Sequence, residues 1–322
     1  MARFTKALLC VQGGEKMREN FYVEDRYGKK INVYKWYSDK EAKAIIQISH
    51  GMSETAIRYD YFAEMLVKKG YIVYAHDHRG HGYTAENKNE LGYIADNDGF
   101  NVLVQNLYDI TKFIKNANVD KKIILFGHSM GSFISQRYLE EHAELIDGLI
   151  LSGTNGKPIS GARIGAALAG IEIKLYGRKH KSKLLDKLSF GNFNNNFKPN
   201  RTAFDWLCSD KLEVDKYIED PLCGFICTSS FYYDLLNGLK DIHKKENLNK
   251  IPKDIPIYIF AGDKDPVGNC GKGIINLYNI YKLLNIKDVN YKLYKEGRHE
   301  MLNEVSKDEV IEDIQLWLNK VI

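Results

Sequence analysis

The sequence predicts a mostly parallel α/β sheet with helices on both faces, and three observations carry that prediction. Short apolar runs rich in isoleucine and valine recur along the chain, and stretches with helical periodicity alternate with them. The first two β-like segments alternate apolar and polar residues around a glycine turn, so the sheet begins with an antiparallel hairpin. The alternation then stops between about residues 157 and 250 and afterwards resumes. That gap is well beyond an ordinary loop and reads as a helical insertion in one domain.

Each element follows from its own pattern. FYVEDRYG (21–28) and INVYKWY (31–37) form the hairpin around Gly28. AKAIIQISH (42–50) is a continuous apolar run, as in a strand covered on both faces. Residues 55–69 have helical spacing and stop at Gly70. YIVYAHD is the next buried strand, and the loop HRGHGYT follows it. A helix over 100–116, the strand KKIILF, a helix over 130–141 and the strand DGLILSG complete the first half. Within the insertion, GARIGAALAGIEIKL and SSFYYDLLNGLKDIHKKEN read as helices, and FGNFNNNFKPNRTAFDW reads as turns. IPIYIFAG, a helix near 271–284, VNYKLYK and a helix over 304–321 close the chain. The expected parts are a first core part over 1–155, a helical cap over 156–250 and a second core part over 251–322.

Bulk properties exclude several classes. The 322 residues carry 46 basic and 42 acidic side chains with the signs well mixed, which gives no nucleic-acid footprint. No apolar run reaches transmembrane length. The start, MARFTKALLCVQGG, is too short in its apolar part for a signal peptide. Cys10, Cys208, Cys223, Cys227 and Cys270 are odd in number and irregular in spacing, so they read as free thiols in a reducing compartment. A cytoplasmic location is the expectation.

The chemistry concentrates in GHSMG (127–131), which follows KIILF and precedes a helix. Gly127, Ser129 and Gly131 match the nucleophile-elbow pattern G-x-S-x-G in its required strand–turn–helix context. Small residues at 127 and 131 let the chain turn tightly, and the following helix favours negative charge at its N-terminus. A serine hydroxyl needs a base, and the base needs an orienting acid. His299, in GRHEMLNE between the last strand and the last helix, is the expected base. Asp265, in GDKDPVG, is the expected acid, held extended by Pro266, and Asp263 is the reserve. The expected oxyanion donors are the N–H groups of Met130 and of Met52, in SHGMSE. Gly51 lets that second loop turn, His50 and His128 flank the site, and His76, His78 and His81 shape the loop after YIVYA.

These segments resemble the monoacylglycerol lipase and lysophospholipase branch of the α/β-hydrolases, which is grouped with serine aminopeptidases. SHGMSE, Arg58–Tyr59, YIVYAHDHRGHGYT, LFGHSMGS, DKYIEDPLCGF, GDKDPVG and GRHEMLNE carry the resemblance from about residue 20 onward. It implies an α/β-hydrolase fold with Ser129 as nucleophile, Asp265 as acid, His299 as base and Met52 and Met130 at the oxyanion hole. The insertion would be a helical cap over an acyl pocket. The family commonly has glycine where this chain has Ser53 and histidine where it has Thr55.

The function expected is hydrolysis of single-chain acyl esters, monoacylglycerols or lysophospholipids, through an acyl-enzyme, with no metal or organic cofactor. Ile164, Leu168, Ile171, Phe190, Phe193, Phe197, Trp206, Phe225, Phe231, Tyr232 and Tyr233 divide between packing the cap and lining an apolar channel. The basic run GRKHKSK (177–183) suits a solvated helix end or a weak, transient contact of the cap with anionic head groups. Three readings stay open beside this one. A peptidase or amidase would grip a free terminus through Glu54, Glu172 or Glu213. The others are a binding protein on an inactive frame and transfer of the acyl group to an acceptor other than water.

Overall fold

The structure, a computed structural model, describes residues 5–7, 17–156 and 161–322. Nine strands form one sheet: β1 (Thr5–Ala7), β2 (Met17–Glu24), β3 (Lys30–Tyr37), β4 (Ala44–Ser49), β5 (Tyr71–His76), β6 (Ile123–His128), β7 (Gly148–Ser152), β8 (Ile257–Gly262) and β9 (Val289–Tyr294). Their spatial order is β1-β2-β3-β5-β4-β6-β7-β8-β9. The first three strands pair antiparallel, β3 joins β5 antiparallel, and every pair from β5 to β9 is parallel. The fold is that of an α/β-hydrolase. Leu8, Leu9, Cys10 and Val11 of the ALLCV start lie outside the described residues.

The continuous apolar runs are the central strands. Every residue of β4, β6, β7 and β8 is buried, which requires a helical layer on each face. On one face α2 (Gly99–Ala117), α3 (Met130–His142) and α9 (Lys272–Leu283) pack against Leu125, Leu149, Leu151 and Ile259. On the other, α1 (Asp60–Lys68) and α10 (Lys307–Val321) pack against Ile46, Ile48, Phe126 and Phe260. The 55–69 segment starts one turn late as an α-helix, because Ala56–Tyr59 is a 3₁₀ turn.

Between β7 and β8 lie α4 (Ala162–Tyr176), α5 (Lys183–Phe190), α6 (Lys211–Glu219), α7 (Ser229–Asp241) and α8 (Lys245–Leu248). The sequence periodicity finds α4 and α7 but not α5 and α6, which have 8 and 9 residues. Both carry a start signal: Ser182 accepts from the Leu185 N–H and Asp210 from the Leu212 N–H. The asparagine-rich stretch is turn-like, with one 3₁₀ piece over Phe193–Phe197. The run GRKHKSK joins α4 to α5.

The sheet register positions the site. Ser49 lies opposite Gly127, His128 opposite Ser152, and Ser152 opposite Phe260. The carboxyl ends of β4, β6, β7 and β8 therefore share one edge. The loops that leave this edge carry residues 50–54, 129–131, 153–156 and 263–268. The loop after β9 joins them there, because a Cβ on Gly262 would sit 1.9 Å from the Gly297 carbonyl oxygen.

Candidate active site

Ser129 ends β6 and begins α3, with φ 51° and ψ −120°, a backbone conformation that L residues rarely adopt. The elbow is held tightly. The Ser129 N–H donates to the Ser152 carbonyl at 2.9 Å. A Cβ on Gly131 would meet the Ser49 carbonyl oxygen at 2.0 Å, and one on Gly127 would meet Ser135 Oγ at 2.5 Å. The end of β4 thus lies directly on the first turn of α3. A Cβ on Gly51 would approach Ser129 Cβ to 3.2 Å, so the 50–53 loop stands beside the serine.

His299 and Asp265, the two residues that the sequence pairs across 34 positions, meet here. His299 Nδ1 lies 3.0 Å from Asp265 Oδ1, and both side chains are buried. The Val267 N–H donates to the same carboxylate oxygen at 2.9 Å. Asp263 points elsewhere, accepting from the Glu296 N–H at 2.8 Å. The imidazole lies over Gly153, whose missing Cβ would be 2.8 Å from Cε1. It also lies 4.7 Å from the ring of His128 and 5.1 Å from that of Trp206. Burial pulls the His299 pKa down, but the charge and hydrogen bond of Asp265 outweigh it and leave it above its ordinary value. Among the described residues no hydrogen bond joins the Ser129 hydroxyl to His299, whose Nδ1 faces Asp265.

Neither the Met52 nor the Met130 N–H has a hydrogen-bond partner among the described residues. Met130 is a core side chain and Met52 packs partly buried against that core. The loop around Met52 is fixed by polar contacts on both sides. The Gly51 N–H donates to Glu54 Oε1, and the Ser53 N–H donates to His81 Nε2 at 3.2 Å. His50 sits behind, where its Nε2 accepts from the His78 N–H at 3.0 Å.

Four histidines are buried in this layer. His50 and His78 lie 4.4 Å apart, and His76 and His78 lie 4.6 Å apart. Burial lowers all four: His76 and His81 fall to about 4, and His50 and His78 fall well below the usual imidazole range. His128, its Nδ1 3.1 Å from Ser152 Oγ, is lowered likewise by burial and then by the neighbouring His299.

One buried network joins residues that the sequence named only separately, the Arg58–Tyr59 pair and Glu54, to Glu300. Arg58 bonds Glu54 at 2.7 Å and Glu300 at 2.6 and 2.7 Å, and the Tyr59 hydroxyl donates to Glu54. Burial would raise Glu300, but the Arg58 charge and hydrogen bonds hold it at about 2. Burial and then the second carboxylate leave Glu54 raised despite Arg58. A crevice between Arg58, Glu54, Glu300, Tyr61, Asn303 and His128 opens on this side of the site. The signal available was i to i+4 spacing of Glu54 and Arg58; Glu300 is 242 residues away and had none.

The three carboxylates weighed for gripping a peptide terminus are otherwise engaged. Glu54 holds Arg58, Glu172 accepts from Ser229 Oγ at 2.7 Å, and Glu213 pairs with Lys216 and Lys307. The apolar residues of the insertion separate clearly. Phe231 and Tyr232 are buried in the core, and Ile164 and Ile171 face outward. Phe190, Phe193 and Trp206 form an aromatic layer with ring centroids 5.0 to 5.9 Å apart, which meets His299 through Trp206. Phe197 lies 4.3 Å under the Arg298 guanidinium.

Comparison with known proteins agrees with this architecture. The chain is 26% identical over 289 residues to the human monoglyceride lipase, covering 88% of this chain and 85% of that one. A thermostable carboxyl esterase from Bacillus coagulans, solved with glycerol, superposes with a TM-score of 0.85 at 28% identity, over 94% of this chain and 98% of the esterase. A soluble variant of the monoglyceride lipase of Saccharomyces cerevisiae, solved with a substrate analog, has a TM-score of 0.75 at 20% identity and covers 98% of both chains, which shows the shared fold. The model of the serine aminopeptidase (S33) family matches residues 40–306, and the chain belongs to that family.

Proposed function

We propose that this protein is a serine hydrolase of carboxylic esters, and that its substrates are single-chain lipid esters such as monoacylglycerols or lysophospholipids. The observation that carries the reading is the Asp265–His299 hydrogen bond, 3.0 Å long and buried, beside a serine held at φ 51°.

In this reading Ser129 Oγ attacks the acyl carbonyl as His299 Nε2 takes its proton, and Asp265 stabilises the imidazolium. The unpartnered N–H groups of Met52 and Met130 receive the oxyanion, which is an efficient use of donors that cost no reorganisation. His299 returns the proton to the leaving alcohol, and water repeats the sequence on the acyl-enzyme.

Two features support a lipid ester over a peptide. The aromatic layer of Phe190, Phe193 and Trp206 offers an acyl chain an apolar wall beside His299. The carboxylates that an exopeptidase would use are already paired. The human and yeast relatives are named as monoglyceride lipases, which favours glycerol esters within this class. Residues 156–250 act as the cap in this reading. Its outer face carries Ile164, Ile171, Leu175, Leu184 and Leu188 exposed among Arg163, Lys174, Lys183 and Lys187, which suits a transient contact with a lipid surface. No helix among the described residues is long and apolar enough to cross a membrane.

The test is a panel of esters of graded acyl length on glycerol, phosphocholine and nitrophenol, run beside aminoacyl-anilides. Turnover of acyl esters, lost in Ser129→Ala, is the expected result. Anilide turnover without ester turnover would select the peptidase instead.

A further inference from the structure

Ser53, one residue past Met52, has φ 56°, a conformation that favours glycine. It is nevertheless a serine, and its side chain is used. Ser53 Oγ donates to the Phe225 carbonyl at 2.8 Å. The Ser53 carbonyl accepts from the Gly224 N–H at 2.9 Å and from the Tyr217 hydroxyl at 3.0 Å. Three of the bonds that hold residue 53 therefore come from one short stretch of the cap. Tyr217 is itself buried, with the Arg58 guanidinium 4.8 Å from its ring. Through Arg58 it adjoins Glu54, which holds the Gly51 N–H.

The same part of the cap reaches the histidine loop. The Trp206 and Leu207 carbonyls accept from the His299 and Glu300 N–H groups at 3.4 and 2.7 Å. Arg298 donates to the Asp205 and Cys208 carbonyls, and Ser209 bonds Glu304. In contrast, among the described residues no hydrogen bond joins α4 or α5 to residues 49–54.

We propose that the inner cap, residues 205–227, is a positioning element that holds the Met52 N–H in place through Ser53 and Tyr217. An oxyanion donor works only if it is fixed before charge develops. Among the described residues the Met52 N–H has no hydrogen-bond partner, so its peptide is aimed by its neighbours: Gly51 through Glu54, and Ser53 through the cap. Residues 205–227 bond the catalytic loops directly. This inference rests on the assignment of Met52 to the oxyanion hole.

The experiment compares Ser53→Gly and Tyr217→Phe with wild type on 4-nitrophenyl acetate, a small soluble ester that needs no cap opening. Ser53→Gly removes the hydroxyl and accepts the left-handed backbone; Tyr217→Phe removes one hydroxyl and keeps the ring over Arg58. Each is expected to lower kcat about tenfold, part of the roughly hundredfold or greater loss when an oxyanion donor is removed outright. KM is expected to stay within about twofold and Tm within about 2 °C. The rate of fluorophosphonate labelling should fall by the same factor as kcat. Wild-type kcat in both variants overturns the proposal, as does a fall in kcat that tracks a fall in Tm. If Tyr217→Phe does not fold, Ser53→Gly decides alone. Ser129→Ala separates the two levels: residual turnover there sinks the hydrolase reading, whereas an inert Ser129→Ala beside unaffected Ser53→Gly and Tyr217→Phe sinks only the positioning role.

Discussion

Replacing Asp265 with asparagine removes one charge and leaves the shape. The carboxylate oxygen lies 3.0 Å from His299 Nδ1 and is fully buried, so solvent does little to screen it. At that separation and an effective dielectric near 20, the attraction to an imidazolium is about 5 kcal/mol. Since about 1.4 kcal/mol is tenfold in rate, Asp265→Asn should lower kcat/KM by roughly three to four decades. The asparagine amide also presents a donor to Nδ1, which puts the imidazole proton on Nε2, where the base must accept. The pH profile gives a second reading. In the proposed mechanism activity needs neutral His299, so kcat/KM should rise through the His299 pKa, which Asp265 and, more weakly, Glu300 hold above the ordinary value against burial. With Asp265 neutralised, burial meets less opposition and the acid limb moves to lower pH. Asp263→Asn removes a charge away from His299 and keeps an oxygen to accept from the Glu296 N–H, so it should cost less than about threefold. Initial rates on 4-nitrophenyl butyrate from pH 5 to 9 measure all three. A larger loss in Asp263→Asn than in Asp265→Asn, or an acid limb that stays where it was, would refute the argument.

Acid should destabilise the protein through its histidine layer. Burial lowers His76 and His81 to about 4 in the folded state against about 6.5 unfolded, so their contribution is complete above about 6.5 and is lost as pH falls toward 4, at about 3 kcal/mol each. Burial raises Asp77 to about 6, which returns about 3 kcal/mol over the same range, and His50 and His78 add to the loss. Thermal melts from pH 7 to 4 should show a falling Tm; a flat profile contradicts the burial of neutral imidazoles. Gly131→Ala should cost about 3 kcal/mol or more, because its Cβ would lie 2.0 Å from the Ser49 carbonyl oxygen, and chemical denaturation reads this directly. Ile171→Glu with Leu175→Glu should reduce co-sedimentation with phosphatidylserine vesicles while leaving hydrolysis of 4-nitrophenyl acetate within about twofold. Unchanged sedimentation removes the lipid-facing role from α4.

The core was legible because its strands are apolar throughout and its helices are long. β4, β6, β7 and β8 bury every residue, and α2 spans 19 positions. The chain order and the loop after each strand led to Ser129, Asp265 and His299 as the proposed triad, and of these the structure pairs His299 with Asp265 beside the strained Ser129. The insertion was less legible. α5 and α6 have only 8 and 9 residues, too few turns for periodicity to stand out, although Ser182 and Asp210 mark their starts. The outward direction of Ile164 and Ile171 was hidden because an apolar residue reads the same whether it faces a core or a lipid. The ties of Ser53 to Tyr217, Gly224 and Phe225 span 164 to 172 positions and have no local pattern. Only the glycine expected at that position hinted at its backbone.

Peptide mapping of fluorophosphonate-treated protein tests the central assignment most directly. The account predicts one adduct per chain, on Ser129, formed in step with loss of esterase activity and absent from Ser129→Ala. An adduct on another residue, or full esterase activity after Ser129 is modified, contradicts it.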